Sequence, residues 1–350
     1  MRRLGQSGRV SGELALVEAI RRRATRAGRA PDGLRLGIGD DCAVLRPGVG
    51  QDICVTTDFS LEGVHFRRDW HAAASVGHRC LARGLSDLAA MGAEPLGVFL
   101  SLAVPAGLRA KWVDGFLDGF LALARRHGVT LAGGDTAQSP ALVAADIVAV
   151  GQAARGRALL RSGARAGDFL YVTGALGGAA AELRQMAAHP KKLQRIQEAR
   201  AGHPQLFPEP RLEVGRRLRG VASATIDLSD GLSTDLTHLC RESGVAATVD
   251  EAALPVHALA ACYEDGLELA LNGGEDYELL FTAPPGVRVP RRIAGAAVRR
   301  IGQMRPPRRG KPLILMTMRD GETQPIMPGG WEHFRQDQSG TGVRRASSRS

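Results

Sequence analysis

Residues 85–95 read Leu-Ser-Asp-Leu-Ala-Ala-Met-Gly-Ala-Glu-Pro, where an apolar helix ends and the next strand begins. The spacing of apolar residues predicts a helix over 72–91, and the Gly-Ala-Glu-Pro sequence stops it. The apolar run over 96–104 predicts a strand, and a second helix is predicted over 108–127. This alternation of helix and strand continues along the chain, so it indicates an α/β or mixed α+β fold.

The same alternation divides the chain into two parts on either side of 152–167, where Ala, Arg and Gly replace periodic apolar residues. The first part also predicts a helix over 11–27, strands over 52–58 (with Asp58 at the end), 129–132 (leading into a Gly133-Gly134 turn) and 142–150. The second predicts strands over 169–173, 222–227, 246–249 and 278–282, and helices from 177 and over 231–243. We therefore expect domains over 1–155 and 156–335, and a disordered polar tail over 336–350.

Composition limits the class of protein. The chain has 350 residues with 44% hydrophobic and 23% charged content, which is typical of a globular protein with two domains. It has neither an apolar run long enough to span a bilayer nor a secretory signal. Its five dispersed cysteines contain no C-x-x-C pair, which favours a reducing cytoplasm.

The net charge of +10 leaves nucleic-acid binding open as an alternative. Aromatic residues make up only 4% of the chain, so stacking platforms for bases are scarce. A solvated basic surface is the simpler interpretation, and we expect neither a nucleic-acid nor a membrane partner.

Short acidic segments recur beside glycine or hydroxyl residues, without a Walker-type phosphate loop. They are Gly37-Ile38-Gly39-Asp40-Asp41, Thr56-Thr57-Asp58, Leu85-Ser86-Asp87, Gly133-Gly134-Asp135-Thr136, Asp227-Leu228-Ser229-Asp230-Gly231 and Gly273-Gly274-Glu275-Asp276-Tyr277. Mg²⁺ is usually bound by a few carboxylates together with substrate phosphates. The pattern therefore predicts one pocket that holds several Mg²⁺ ions against a nucleoside triphosphate.

Each of these residues also has a structural interpretation. An Asp after a strand often caps a turn or helix, but that explanation must be repeated for every acidic segment. Thr56 and Thr57 suit a strand as well as a metal or phosphate, and Ser229 suits an N-cap. Arg157 or Arg161 could clamp a phosphate. His65 could be an ordinary loop histidine and Trp331 a core residue, although Trp331 could stack on a flat ring.

Taken together and in order, these motifs closely resemble the thiamine-monophosphate kinase family over roughly residues 10–335. That family belongs to the superfamily of aminoimidazole ribonucleotide synthetase and selenophosphate synthetase. The resemblance implies an N-terminal α/β domain whose sheet pairs with that of a second subunit, and a C-terminal α+β domain that closes the active site. It also implies ATP-dependent phosphorylation of thiamine monophosphate to thiamine diphosphate, with several Mg²⁺ ions, by a cytoplasmic homodimer.

The resemblance also implies roles for individual residues. Those expected to hold Mg²⁺ are Asp41, Thr56, Thr57, Asp58, Asp87, Asp135, Asp227 and Asp230. Those expected to contact ATP are Gly134, Asp135, Arg161 and Ser229, and those expected to contact thiamine monophosphate are His65, Glu275 and Trp331. The acceptor phosphate is already a nucleophile, so we expect direct in-line transfer with no general base and no phosphoenzyme.

Two rivals remain from the sequence. A related synthetase of the superfamily is one, but nothing in residues 1–36 supplies the reactive cysteine of a selenophosphate synthetase, and Gly-Gly-Glu-Asp-Tyr-Glu-Leu resembles the kinase more than a ribonucleotide-cyclising enzyme. A basic nucleic-acid-binding protein is the other. It would bind in a salt-dependent way without nucleotide turnover.

Overall fold

The computed structural model describes residues 13–26, 33–38, 42–196 and 202–331, and every structural statement below concerns these residues. Asp41, one of the predicted metal ligands, lies outside them, as does the tail over 336–350. Within the described residues, no helix is long and apolar enough to cross a membrane.

A smaller sheet and two long helices form the first part of the chain. In chain order its elements are α1 (Glu13–Arg26), β1 (Leu34–Leu36), β2 (Val44–Leu45), β3 (Gln51–Leu61), α2 (Ala73–Ala90), β4 (Glu94–Pro105), α3 (Ala110–Arg126), β5 (Leu131–Ser139) and β6 (Ala144–Ala154). The smaller sheet has the order β3-β6-β4-β5, in which β4 and β5 are parallel and the other pairs antiparallel. α2 packs against α3, β3 and β6. Leu81, Leu85, Phe116 and Ile147 lie in the resulting core.

A larger sheet organises the second part. Its elements are β7 (Phe169–Thr173), α4 (Gly178–Ala188), α5 (Pro190–Leu193), α6 (Leu212–Leu218), β8 (Ala224–Asp227), α7 (Leu232–Ser243), β9 (Ala246–Asp250), α8 (Gly266–Asn272), β10 (Leu279–Ala283), β11 (Arg292–Ile293), β12 (Ala296–Arg305), β13 (Ile314–Thr317) and β14 (Thr323–Ile326). The order is β14-β13-β9-β12-β7-β10-β8, with β11 paired to β12. A second core includes Ile226, Leu236, Leu280 and Ile301. The mixed α/β class expected from the sequence is confirmed.

Helix α2 connects the two parts. Besides the smaller sheet, it contacts α6 and β8 of the second part. Most of its residues are buried, because the helix is covered on several sides. The side chains of α2 therefore reach positions that elements of both sheets also reach.

Two local predictions were wrong. The strand that carries Asp58 continues to Leu61, because Phe59 pairs with Asp146 and Leu61 with Ala144 of β6, so Asp58 lies inside the strand. The expected turn at Gly133-Gly134 is instead part of β5, where Gly134 pairs with Leu100. Gly134 has a φ of 150°, and a Cβ there would lie 2.0 Å from the Leu100 carbonyl oxygen, so only glycine permits this close approach.

Candidate active site

A cavity of about 600 Å³ opens between α2, β3, the loop after β8 and the loop before β10. Most of the residues predicted from the sequence line it. They are Thr57, Asp58, His65, Asp87, Asp227, Ser229, Asp230, Glu275 and Trp331. Segments separated by more than two hundred positions in the sequence therefore converge on one cavity, with carboxylates at one end and His65, Glu275 and Trp331 also in its wall.

Three carboxylates form the acidic end of the cavity. Asp58 comes from β3, Asp87 from the last turns of α2 and Asp227 from the end of β8. The Thr56 hydroxyl donates a hydrogen bond to Asp87, and the Ser86 hydroxyl donates one of 2.7 Å to Asp227. In the Leu-Ser-Asp motif, Asp87 therefore faces the cavity, while Ser86 orients the carboxylate of Asp227.

The electrostatics of this cluster are unfavourable without a cation. Burial, followed by repulsion from Asp87, raises the pKa of Asp227 to about 7. Burial raises the pKa of Asp58 to about 6, with Arg83 opposing the shift and Asp87 adding to it. Burial likewise raises the pKa of Asp87. Each carboxylate is costly to ionise beside the others, and a bound cation would remove that cost.

The residues present are suited to Mg²⁺, although they do not form a complete centre. Their donors are carboxylate and hydroxyl oxygens, which are the ligands that hard cations take. Within the described ranges, no group of three or more His, Cys, Asp or Glu side chains is already arranged around a metal position. Mg²⁺, when bound in a protein, usually keeps several waters and takes further ligands from substrate phosphates.

The loop that carries Ser229 and Asp230 is held by Asp235, which is not among the residues predicted from the sequence. The Asp235 carboxylate accepts hydrogen bonds of 3.1 Å from the backbone N–H groups of Ser229, Asp230 and Gly231. Asp235 lies in the first turn of α7, and an Asp in the first turn after a loop could have suggested this role.

The Gly-Gly-Glu-Asp-Tyr segment directs consecutive side chains to different tasks. Glu275 and Tyr277 both have positive φ values, 68° and 50°, which are unusual for residues with a side chain. Asp276 accepts hydrogen bonds from the N–H groups of Gly177 and Ala179 and so caps α4. Glu275 faces the cavity. The backbone of this segment, which follows Gly273 and Gly274, is therefore strained at Glu275 and Tyr277.

Two arginines of α2, also missed in the sequence, hold Glu275. Arg79 donates to both Glu275 carboxylate oxygens at 2.7 and 2.8 Å, and Arg83 donates to one of them at 3.2 Å. Burial alone would raise the pKa of Glu275, but Arg79 and Arg83 outweigh it and lower the pKa to about 2. Their spacing of four residues shows that the two arginines share one face of the helix, but it does not indicate that this face meets Glu275.

Trp331 and His65 are positioned by backbone contacts. The Trp331 N–H donates to the Asp230 carbonyl at 3.1 Å, and the residue is 53% exposed at the cavity wall. A Cβ on Gly330 would lie 1.9 Å from the Asp230 carbonyl oxygen, so glycine is required for this approach. The His65 ring accepts a hydrogen bond from the Leu61 N–H at 3.0 Å.

Some predicted residues lie apart from the cavity lining. Gly134 and Asp135 line a separate hollow of about 90 Å³ beside α1 and β4. Asp135 is exposed and accepts a hydrogen bond from the Thr136 N–H. Arg161 is also exposed, but its charge lowers the pKa of both Asp87 and Asp227, so it lies near the acidic end.

The fold and the site together define a known class of two-domain protein. A family model described as AIR synthase related protein, N-terminal domain, matches residues 39–153, and the corresponding C-terminal domain model matches residues 165–313. The thiamine-monophosphate kinase of Salmonella typhimurium is 41% identical over 308 residues, which cover 85% of this chain and 91% of that protein.

Solved structures agree with this relationship. The thiamine-monophosphate kinase of Stenotrophomonas maltophilia K279a superposes with a TM-score of 0.73 at 37% identity, covering 88% of this chain and 96% of that one. A structure described as AaThiL complexed with AMPPCP and TMP superposes with a TM-score of 0.70 at 27% identity, covering 92% and 97%. The chain belongs to the thiamine-monophosphate kinase family.

Proposed function

We propose that this chain transfers the terminal phosphoryl group of ATP to thiamine monophosphate, giving ADP and thiamine diphosphate. The observation that carries the proposal is the convergence of Asp58, Asp87 and Asp227 on the same cavity as Glu275, in a member of this family. The related AaThiL structure holds AMPPCP and TMP, which are an analogue of ATP and a thiamine phosphate.

Mg²⁺ would supply charge neutralisation for the two phosphate groups, which otherwise repel each other. The proposed ligands are the carboxylates and hydroxyls predicted from the sequence: Asp41, Thr56, Thr57, Asp58, Asp87, Asp135, Asp227 and Asp230. The buried, mutually repelling carboxylates support this assignment for Asp58, Asp87 and Asp227.

The two substrates are proposed to occupy different ends of the site. Ser229 and Arg161 would contact ATP, since both lie near the acidic end, and Gly134 and Asp135 would contact it from the smaller hollow. His65, Glu275 and Trp331 would contact thiamine monophosphate. Trp331 offers an exposed ring against which the aromatic rings of the acceptor could stack.

In this mechanism the protein positions the reactants rather than activating a side chain. An acceptor phosphate is an adequate oxygen nucleophile near neutral pH, so neither a general base nor a covalent intermediate is needed. The wall residues would align the attacking and leaving oxygens and exclude water, while the carboxylates hold the cations that screen the negative charge.

We also propose that the chain functions as a cytoplasmic homodimer, with domains over 1–155 and 156–335. The two sheets and the two matching family models support the division. Exposed apolar side chains on β3 (Ile53, Val55 and Phe59) support pairing with a second copy. All five cysteines are free thiols, which is compatible with a reducing compartment.

The direct test is an assay of the purified protein with ATP, Mg²⁺ and thiamine monophosphate, in which thiamine diphosphate is measured by chromatography. Free thiamine serves as the parallel acceptor, and we expect no diphosphate from it. Asp58→Asn should lower kcat at least about 100-fold, because it removes a ligand that acts on the transferring group. No diphosphate from the wild-type protein, or full turnover by Asp58→Asn at saturating Mg²⁺, would contradict the proposal.

A further inference from the structure

Arg79 and Arg83 lie one helical turn apart on α2 and are almost fully withdrawn from solvent, with side chains 4% and 15% exposed. Both terminal nitrogens of Arg79 are engaged. It donates to both oxygens of Glu275, and also to the carbonyl oxygens of Gln205 and His65 at 2.5 and 3.1 Å. The charge of Glu275 is therefore already matched by one guanidinium.

Arg83 adds a second positive charge to this end of the cavity. Its Nη1 donates to Glu275 at 3.2 Å, while its Nε lies 3.6 Å from a carboxylate oxygen of Asp58. That Nε is buried and makes no hydrogen bond within the described parts of the chain. One guanidinium thus stands between a carboxylate of the acidic end and the carboxylate proposed to contact the acceptor.

In this position Arg83 competes with a bound cation for the carboxylate of Asp58. A cation bound by Asp58 must lie close to the Arg83 guanidinium, and two positive charges at such a separation repel each other. The distance of 3.6 Å gives Asp58 a partner that stabilises its ionised form but is too long for a strong hydrogen bond. The pair is therefore suited to being loosened when a divalent cation arrives.

We propose that Arg83 is a positioning residue which holds Asp58 and Glu275 at a fixed spacing and competes with the divalent cation for Asp58. This inference rests on the proposed function. It explains the second arginine of α2, which the charge of Glu275 alone does not require. Arg83 then couples the cation to the acceptor, because loosening its contact with Asp58 leaves it free to strengthen its contact with Glu275.

The test uses the full chain and measures Mg²⁺ binding by calorimetry at pH 8.5, without nucleotide, so that the readout does not depend on turnover. Arg83→Met should tighten Mg²⁺ binding about fivefold or more, the factor that a neighbouring unit charge gives in water-like surroundings. In the complete reaction the same variant should lower kcat about 10- to 100-fold with little change in the KM for ATP. Arg83→Lys should keep the Mg²⁺ affinity within about twofold of wild type, because the charge remains, and should still lower kcat, because one ammonium cannot span both carboxylates.

Arg184→Met is the matched control. It removes an arginine that pairs with Asp265 at 2.7 Å outside the cavity lining, and it should leave Mg²⁺ binding unchanged. If Arg83 has only a structural role, Arg83→Met should bind Mg²⁺ more weakly than the wild-type protein. Weaker binding, or binding equal to that of the wild type, would overturn the proposal. If Arg83→Met does not fold, a wild-type kcat in Arg83→Lys would overturn it. Failure of wild-type turnover would refute the proposed function alone, since cation binding is measured separately.

Discussion

Asp227 is almost completely buried, and its carboxylate is accompanied by two others. Its pKa rises from the ordinary 3.8 to about 7, first because of burial and then because of Asp87. A raised carboxyl pKa means that ionisation is harder in the folded state than in the unfolded chain. Its cost to stability is therefore absent below about pH 4, grows as the pH rises, and is complete above about pH 7.

Because the ionised Asp227 carboxylate destabilises the fold at high pH, a first prediction concerns the stability of the metal-free protein, measured in EDTA. Asp227→Asn should raise the melting temperature at pH 8 by roughly 2–6 °C, since about 1–3 kcal/mol of ionisation cost disappears. The amide can still accept the Ser86 hydrogen bond. At pH 5 the gain should be much smaller. Scanning fluorimetry at both pH values measures the melting temperature. If Asp227→Asn destabilises the protein equally at both, the claim that Asp227 is buried and ionised at pH 8 is contradicted.

A second prediction concerns Mg²⁺ and the wild-type protein. Protons compete with the cation for Asp58 and Asp227, whose pKa values are about 6 and about 7. The rise in melting temperature on adding about 10 mM Mg²⁺, roughly tenfold above a millimolar dissociation constant, should therefore be larger at pH 8 than at pH 5. NaCl at matched ionic strength is the control, and an Mg²⁺ effect that is independent of pH would contradict the assignment.

The sequence was informative about these residues to a limited extent. Acids beside glycine or hydroxyl groups could be recognised, and Asp58, Asp87 and Asp227 do converge. Arg79 and Arg83 were missed, because an arginine on a helix in an arginine-rich chain is usually on the surface, and only tertiary packing reveals its burial.

At the scale of elements, helix α2 supplies side chains to both ends of the cavity. Arg79 and Arg83 lie one turn apart on this helix, and Ser86 and Asp87 follow about one turn later. All four therefore lie on one side of the helix. The expected helix over 72–91 was correct. Its two-sided burial could not be predicted, because the spacing of apolar residues does not say how many layers cover a helix.

The segment before Trp331 gives a third prediction. Gly330→Ala places a methyl group against the Asp230 carbonyl, so the segment must shift and carry Trp331 away from the cavity wall. We expect the KM for thiamine monophosphate to rise about tenfold, as expected when a stacking partner worth about 1–1.5 kcal/mol is lost. The KM for ATP should change little.

Gly286→Ala is the matched control for this change. A Cβ at Gly286 has open space around it, so this variant should behave as wild type. An unchanged KM for thiamine monophosphate in Gly330→Ala would mean that Trp331 does not contact the acceptor.

At the scale of the molecule, β3 lies at the edge of the smaller sheet and exposes 44% of Ile53, 61% of Val55 and 60% of Phe59. Alternate residues of a strand share a face, so these three lie on one largely apolar face, on which the exposed Thr57 stands between Val55 and Phe59. An exposed apolar edge strand is a liability unless a partner covers it. A second copy of the chain is the partner that we propose.

The fourth prediction tests this assembly. Val55→Asp should shift the mass measured by light scattering from two copies to one, since it buries a charge in the proposed interface. Val49→Asp is the control, because Val49 is fully exposed in the turn before β3 and outside this face. A dimer that persists in Val55→Asp would place the interface elsewhere.

The sequence predicted the two-part architecture but not the later strands β12, β13 and β14. β12 carries Arg299, Arg300 and Arg305, and β14 carries Pro325, so neither has the apolar alternation of a typical strand. Their pairing is decided by distant neighbours: β13 runs parallel to β9, from which it is separated by several other elements. Such non-local pairing cannot be predicted from the local sequence, although the apolar run over 313–316 is itself a strand signal that was overlooked.

The position of Trp331 has a consequence for synthesis on the ribosome. Asp58, Asp87 and Asp227 are translated well before the segment over 329–331 that rests on the Asp230 loop. At typical elongation rates of roughly 5–20 residues per second, tens of seconds separate Asp58 from Trp331. Because β8 pairs with β10, Asp227 is placed only after β10 has been synthesised, roughly a few seconds before the tryptophan is translated. We therefore expect the nascent chain to complete its acidic end, and to capture cations there, before it can engage an acceptor.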